Sequence, residues 1–288
     1  MSGHAGELVD KERVALYVVA TPIGNLGDIT LRALDTLRTA DAVYAEDTRN
    51  SATLLTHHGI QATLKPLHEH NEARAAQDVL HALAAGQSVA LISDAGTPAI
   101  SDPGARVVAE VRDAGYRVVP IPGPNAAIAA LSASGVEGPF LFIGFLPPKA
   151  GARRRALEAW RDLTHTLVFY EAPHRVLECV DDLLAVFGSA RTLTIARELT
   201  KLFETIHTCR LDEASAWFAA DANRLRGEFV LIVSGAPAEQ DAVLAEGERV
   251  LKLLLDELPL NSAARMAAAI TGARKNELYE RGLAFKTR

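Results

Sequence analysis

The chain predicts an α/β protein: two α/β domains followed by a small C-terminal helical module. Three observations carry this expectation. Short apolar runs of strand length alternate with segments whose apolar residues recur at helical spacing. A second series of such runs begins after PIPGPNAA, a stretch from Pro120 to Ala127 punctuated by proline and glycine. Beyond Pro237 the strand signal stops and only helical spacing is left.

Taken in order, strand-like runs at 15–20, 42–45, 89–92 and 118–121 are separated by helical patterns such as Leu31, Leu34, Leu37 and Val79, Leu80, Leu83. That alternation predicts a sheet rich in parallel pairs and covered by helices. The second series lies at 140–143, 166–170, 192–196 and 229–233, with helices around 156–163 and 176–187. In the tail, Val243, Val250 and Leu254, then Ala264, Ala268 and Leu278, fit helices only. Pro259, Asn261 and Ser262 read as linker and N-cap, and Ala264, Met266, Ala267, Ala268, Ile270 and Leu278 as a small apolar face. The expected divisions are a disordered tail at 1–13, domains at 14–122 and 123–237, and a basic helical appendage at 238–288.

An apolar content of 49% with 6% aromatic residues is ordinary for a soluble globular protein. The longest apolar runs, LTHTLVFY and FVLIVSGA, fall far short of the ~20 residues of a membrane span, and MSGHAGELVDKER is too polar for a signal peptide. A cytoplasmic protein without a membrane partner is expected. Cys179 and Cys209 stand at no zinc-ligand spacing, so no metal is expected either.

The segment SDAGTPAISDPG, Ser93 to Gly104, follows the buried run VALI with two Asp and two turn-forming Gly/Pro groups. Such a loop at the carboxyl end of a strand is where open α/β sheets bind small molecules. TPIGNLGDIT, Thr21 to Thr30, follows the first strand; Asp28 and Thr30 are both good N-caps for a helix from Leu31, and Gly24 and Gly27 allow close backbone approach. It carries neither the dinucleotide glycine spacing nor a Gly-Lys-Ser/Thr phosphate loop. Three further strand ends bear charge. YAEDTRNS holds Glu46, Asp47 and Arg49; FYEAPHRV holds Glu171, His174 and Arg175; ARELTKLFET holds Arg197, Glu198, Lys201 and Glu204. Each alone reads as a solvated or capping group, but together around one crevice they become groups that could orient a polar substrate.

The net charge is −6, yet basic residues are clustered. Between Asn261 and Arg288 stand Arg265, Arg274, Lys275, Arg281, Lys286 and Arg288 against Glu277 and Glu280; Lys149, Arg153, Arg154 and Arg155 follow FLPP. Two basic patches on an acidic chain fit a nucleic-acid footprint better than a diffuse surface does.

Read together, ATPIGNLGDITLRAL, AEDTR, ISDAGTPAISDPG, IPGPNA, FIGFLPPK, YEAPHR, ARELTK and RGEFVLIVSG resemble the ribosomal RNA small subunit methyltransferase I family, a branch of the tetrapyrrole methylase superfamily. The resemblance runs in order from about Ala15 to the C-terminus. It implies an S-adenosylmethionine-dependent enzyme that methylates the ribose 2′-hydroxyl of a cytidine in the decoding region of 16S rRNA. It also implies a homodimer of two-domain chains with the cofactor in the interdomain cleft. The superfamily's Gly-Asp-Pro cofactor loop falls on Gly96, Thr97 and Pro98, so Thr97 stands where Asp is usual, and the roles of Asp94 and Asp102 are left open. Its Thr-Ala pair falls on Asn125 and Ala126, its first-loop proline on Pro22, and Tyr170 and Gly227 close over the adenosine. With Asp94, Ile100 and Ser101 from the same loop, these are the expected cofactor contacts.

Methyl transfer from a sulfonium needs an in-line acceptor and exclusion of water, and a ribose hydroxyl needs a proton acceptor. Topology puts Glu46, Asp47, Glu171 and His174 in reach of that role, with Arg49, Arg175, Lys201 and the basic clusters available for RNA phosphates. Three alternatives stay open: a methyltransferase of tetrapyrroles or another small molecule, a phosphoryl-transfer enzyme, disfavoured by the missing phosphate loop, and a non-catalytic RNA-binding module.

Overall fold

The computed structural model describes residues 14–237 and 239–286; the tail expected at 1–13 and the basic Arg288 lie outside them. β1 (Ala15–Val19), β2 (Ala42–Ala45), β3 (Leu64–Pro66), β4 (Val89–Ile92) and β5 (Arg117–Ile121) form a wholly parallel sheet in the order β3-β2-β4-β1-β5. Side-chain alternation gives the sheet two buried faces. Leu16, Tyr44 and Leu91 pack against α3 (Glu72–Ala84) and α4 (Ala105–Asp113). Val19, Val43 and Ile92 pack against α1 (Leu31–Thr39) and α2 (Thr48–His57). Burial on both faces is why these strands read as continuous apolar runs. Thr30 caps α1 as expected, its Oγ1 accepting the Ala33 N–H at 3.1 Å. Asp28 instead closes a 3-10 turn that Asn25 caps.

The second sheet departs from the parallel pattern. β6 (Phe140–Phe145), β7 (Thr166–Glu171), β8 (Thr192–Arg197), β9 (Thr205–Arg210) and β10 (Phe229–Val233) lie in the order β6-β7-β10-β8-β9, and only β6 and β7 run parallel. On one face Val168, Ala196, Val230 and Ile232 meet α5 (Ala126–Ser134). On the other, Leu167, Phe169, Ile195 and Leu231 meet α7 (Val176–Phe187) and α8 (Ala214–Ala219). α6 spans Ala150–Glu158, earlier than its expected place, because one member of the arginine run there turns inward. Arg153 is fully buried, donating from Nε to Asp182 Oδ2 at 2.6 Å, and this pins α6 onto α7.

The tail folds as α9 (Glu239–Leu255), α10 (Leu260–Thr271) and α11 (Lys275–Lys286) around Val250, Leu251, Ala263, Ala264, Ala267 and Leu278. α10 begins directly after Pro259 without a side-chain cap, so Asn261 and Ser262 lie in its first turn and not in a linker. Met266 and Ile270 are 42% and 63% exposed: with Ala263, Ala264 and Ala267 turned inward, these two positions fall on the far side of the helix. No helix among the described residues is long and apolar enough to cross a membrane.

This packing sets where the tail can be cut. Removal of everything after Pro237 is expected to leave the cooperative thermal unfolding of the two sheets intact. Truncation after Pro259 strips the cover from Leu251, which is fully buried, and should reduce helicity and solubility, as followed by circular dichroism and light scattering.

Candidate active site

The carboxyl ends of β1, β2, β4 and β5 face the second sheet across a cleft of about 430 Å³, inside the roughly 300–1,000 Å³ range of small-molecule sites. One wall is the loop 93–104. The Thr21 N–H donates to Gly96 O at 2.8 Å, and the Gly96 N–H donates back to Thr21 O at 3.0 Å. Thr21 Oγ1 also donates to Ser93 O at 3.1 Å. The loops after β1 and β4 therefore move as one piece. Gly96 has φ 82°, a left-handed conformation that glycine adopts without steric cost, and a Cβ there would point at the wall residue Ile23. Ala99 and Ser101 are also left-handed, with φ 64° and 66°; each such residue costs about 1–3 kcal/mol and persists only where its surroundings over-determine it. Thr97 Oγ1 supplies one restraint, donating to Pro124 O at 3.1 Å and tying the loop to the segment between the sheets.

The opposite wall follows from strand register. Tyr170 and Ala196 are the direct neighbours of Val230 on either side of β10, so one row of side chains points into the cleft. Tyr170 Oη accepts the Ala127 N–H at 3.2 Å at the start of α5, where Asn125 caps the helix. Burial pushes this phenol above its ordinary pKa. The Tyr170 ring packs edge-on against Phe142 and Phe145. β6 bulges at Gly144, whose φ is 78°; a Cβ there would collide with Ser101 Oγ. The bulge thus lets the first wall touch the second and turns Phe145 into the cleft.

Charge in the cleft is of one sign. Glu46, Asp94, Asp102, Glu171 and Glu228 line it, and among the described residues no Lys, Arg or His does. Burial, reinforced by repulsion from Asp102 and Asp94, raises Glu46 above the ordinary carboxylate range. Asp102 is raised by burial and by Asp94, against the opposing effect of a hydrogen bond from Ser93. Asp94 is oriented by the Asp47 N–H at 2.9 Å and by Asn50 Nδ2 at 3.0 Å. Among the described residues no group of three or more His, Cys, Asp or Glu is arranged to hold a metal ion. An apolar, aromatic and acidic cleft suits a cationic ligand with a flat heterocycle and repels a triphosphate.

Asp94, Gly96, Thr97, Ile100, Ser101, Asn125, Ala126 and Tyr170 all line the cleft. Pro22 and Pro98 are buried beside it, while their neighbours Ile23 and Thr97 take the wall; Gly227 yields its place to Glu228. Ile23, Phe145 and Leu199 were not anticipated, and the role of Asp102 was left open; all four lie inside the quoted motifs, but nothing local says that they point inward.

Several charged residues serve the scaffold. Asp47 and Arg49 pair with each other at 2.9 Å, and Asp47 accepts the Arg49 N–H as the cap of α2, which holds its carboxyl at about 2. Glu171 is buried with its carboxylate accepting the Ala172 N–H at 2.8 Å and pairing with Arg175 at 3.3 Å. Glu171 lines the cleft as well, with its charge satisfied by that pairing. Arg175 in turn donates to Leu146 O at 2.7 Å, and Lys201 is held by Glu198 and Glu228 at 2.8 and 2.9 Å. Arg153, Arg175 and Lys201 each stand in an ion pair, and Arg153 is fully buried. His174 is exposed, and Pro173 beside it lines the cleft. Lys149, Arg155, Arg265, Arg274 and Lys275 are exposed, as is Arg154, although it pairs with Asp182 at 2.5 Å.

Two α/β sheets enclosing an acidic cleft define a class. The Tetrapyrrole (Corrin/Porphyrin) Methylases family matches residues 15–215, and the RsmI C-terminal HTH domain matches residues 241–286. The fold is shared with the structure of uroporphyrin-III C-methyl transferase from Thermus thermophilus complexed with S-adenyl homocysteine, at TM-score 0.55 and 20% identity over 76% of this chain and 97% of that one. Ribosomal RNA small subunit methyltransferase I of Escherichia coli O157:H7 is 50% identical over 95% of this chain and 96% of its own length. That of Pseudomonas aeruginosa is 53% identical over 93% and 96%. The chain belongs to the ribosomal RNA small subunit methyltransferase I family.

The raised carboxyls have a consequence for stability. Because the folded-state pKa of Asp102 lies above its unfolded value, the protonated form favours folding at low pH, and that contribution is lost as pH rises through the folded value. At neutral pH the charge is a net cost. Asp102→Asn is expected to raise the melting temperature at pH 7 and to lose that gain below the ordinary carboxylate pKa, as read by calorimetry at several pH values.

Proposed function

We propose that this chain is an S-adenosylmethionine-dependent methyltransferase acting on the ribose 2′-hydroxyl of a cytidine in the decoding region of 16S rRNA. Methylation of small-subunit ribosomal RNA follows from family membership, through relatives matched over nearly their whole length. The observation that carries the site assignment is the cleft itself, which joins aromatic walls to charges that are all carboxylates.

When bound, S-adenosylmethionine supplies an electrophilic methyl group on a sulfonium cation. The cleft fits such a group by the chemistry of its donors. Ile23, Ile100, Leu199 and Phe229 offer apolar surface for adenine, and the Tyr170 and Phe145 rings with the carboxylates suit the cation. The loop 93–104 brings main-chain groups to the same place. Glu46 is the proton acceptor: it is half-buried, lines the cleft and has a raised pKa, so it takes the proton that a ribose hydroxyl loses. Asp94 and Asp102 keep Glu46 basic by repulsion. The walls exclude water from that transfer.

An acidic cleft does not attract RNA, so the polyanion is held by cations elsewhere. Exposed Lys149, Arg155, Arg265, Arg274 and Lys275 are in position to contact phosphates and set register. The reading includes a division at 14–122, 123–237 and 238–288 and a homodimer. The edge strand β6 leaves Phe140 and Leu141 45% and 38% exposed, and Ile128 on α5 is 55% exposed; a second copy would cover this apolar surface.

The direct test is incubation with labelled S-adenosylmethionine and unmodified small subunits, followed by mapping of the modified nucleotide; label at a base, or none on the RNA, would refute the proposal. Glu46→Gln should lower kcat by about 100-fold or more with cofactor affinity nearly unchanged. Asp102→Asn should move the acid limb of the rate profile to lower pH, because one of the charges that add to burial in lifting Glu46 is gone. Gly96→Val forces a branched side chain into a left-handed position against Ile23, and calorimetry should show binding of S-adenosylhomocysteine lost in a folded protein.

A further inference from the structure

The turn between β8 and β9 puts its most apolar residues in water. Leu202 is 89% and Phe203 66% exposed, yet the backbone beneath them is tightly specified. Glu198 and Thr200 hold positive φ angles of 52° and 66°. The Thr200 N–H donates to Glu204 Oε2 at 2.6 Å, the Lys201 N–H to Glu198 O at 3.0 Å, and the Glu204 N–H to Lys201 O at 3.1 Å. Arg197, only 8% exposed, donates from Nη1 to Phe203 O at 3.2 Å and from Nε to Arg226 O at 2.6 Å. One buried guanidinium thus fixes both the Phe203 turn and the segment that carries exposed Arg226.

The turn also belongs to the rim of the cleft. It leaves the wall at Leu199, and Lys201 pairs with the wall residue Glu228. The stem of Lys201 and the Thr200 hydroxyl pack where a side chain at Gly24 would sit, next to the wall residue Ile23. A strained, cross-linked turn that keeps an aromatic side chain in solvent serves no core. Rigid presentation of a flat apolar surface beside a cation is what stacking of an unpaired base and contact with its phosphate require.

We propose that Phe203, backed by Leu202, is the platform on which a nucleobase of the substrate RNA stacks at the mouth of the cleft, with Arg226 meeting the adjacent phosphate. Arg197 is then a positioning residue that sets both. This inference rests on the reading of the chain as an RNA methyltransferase.

The test compares wild type, Phe203→Ala, Phe203→Trp and Arg226→Ala in the full chain, with filter binding of unmodified small subunits as one readout and methylation kinetics as another. Phe203→Ala should weaken binding and raise KM by roughly 5- to 100-fold, with kcat and S-adenosylhomocysteine affinity near wild type. Phe203→Trp should restore both, and Arg226→Ala should flatten the salt dependence of binding. Wild-type KM in Phe203→Ala would overturn the proposal. So would a change of oligomeric state in that variant, which would assign the pair to a contact between copies. If wild type binds small subunits through Phe203 but methylates no ribose, the reaction assigned above fails and the platform stands; absence of wild-type binding removes both.

Discussion

Two backbone hydrogen bonds exchanged between Thr21 and Gly96 hold the loop after β1 against the loop after β4, and the cleft is organised around that bridge. β1 lies between β4 and β5 in the sheet, so these loops leave the carboxyl ends of adjacent strands, where open α/β sheets leave a crevice. Thr21 is fully buried and its hydroxyl is spent on Ser93 O. The loop 93–104 is thereby fixed before any ligand arrives, and its left-handed residues at 96, 99 and 101 can be maintained. From Thr97 the restraint passes to Pro124 and on to α5, whose first turn is held by Tyr170 of the second sheet.

The same connectivity explains the electrostatics. Main-chain restraints bring Glu46, Asp94 and Asp102 together without a cation among them, and the resulting repulsion raises Glu46 and Asp102. The two buried carboxylates among the described residues have basic partners: Asp182 has Arg153, and Glu171, itself on the cleft wall, has Arg175. Within the cleft itself Glu171 and Glu228 are paired in the same way, whereas Glu46, Asp94 and Asp102 have no ion pair among the described residues. That asymmetry marks the site more sharply than cavity volume does.

Much of this was legible from residues alone, for a physical reason. Parallel strands buried on both faces give unbroken apolar runs, and turn residues delimit them, so β1, β2, β4 and β10 stand out. β3 does not, because it is three residues ending in Pro66 and exists only by pairing with β2. β9 alternates half-buried and exposed residues at a sheet edge, and its Thr, His and Arg carry no apolar signal. The loop 93–104 could be picked out because its Gly, Pro and Asp content is chemically unusual. The fate of the basic residues could not: Arg153 looks like its neighbours Arg154 and Arg155 until a partner 29 residues away buries it. Partnering is a property of the fold and leaves no local trace.

The central claim is that the strand-end loop and the Tyr170 row form one cofactor cleft, and ultraviolet cross-linking of radiolabelled S-adenosylmethionine to the intact protein tests it most directly. The account predicts label on peptides covering 93–104 and 140–173, lost on competition with S-adenosylhomocysteine. Label confined to the C-terminal helices, or label that the competitor leaves in place, would contradict it.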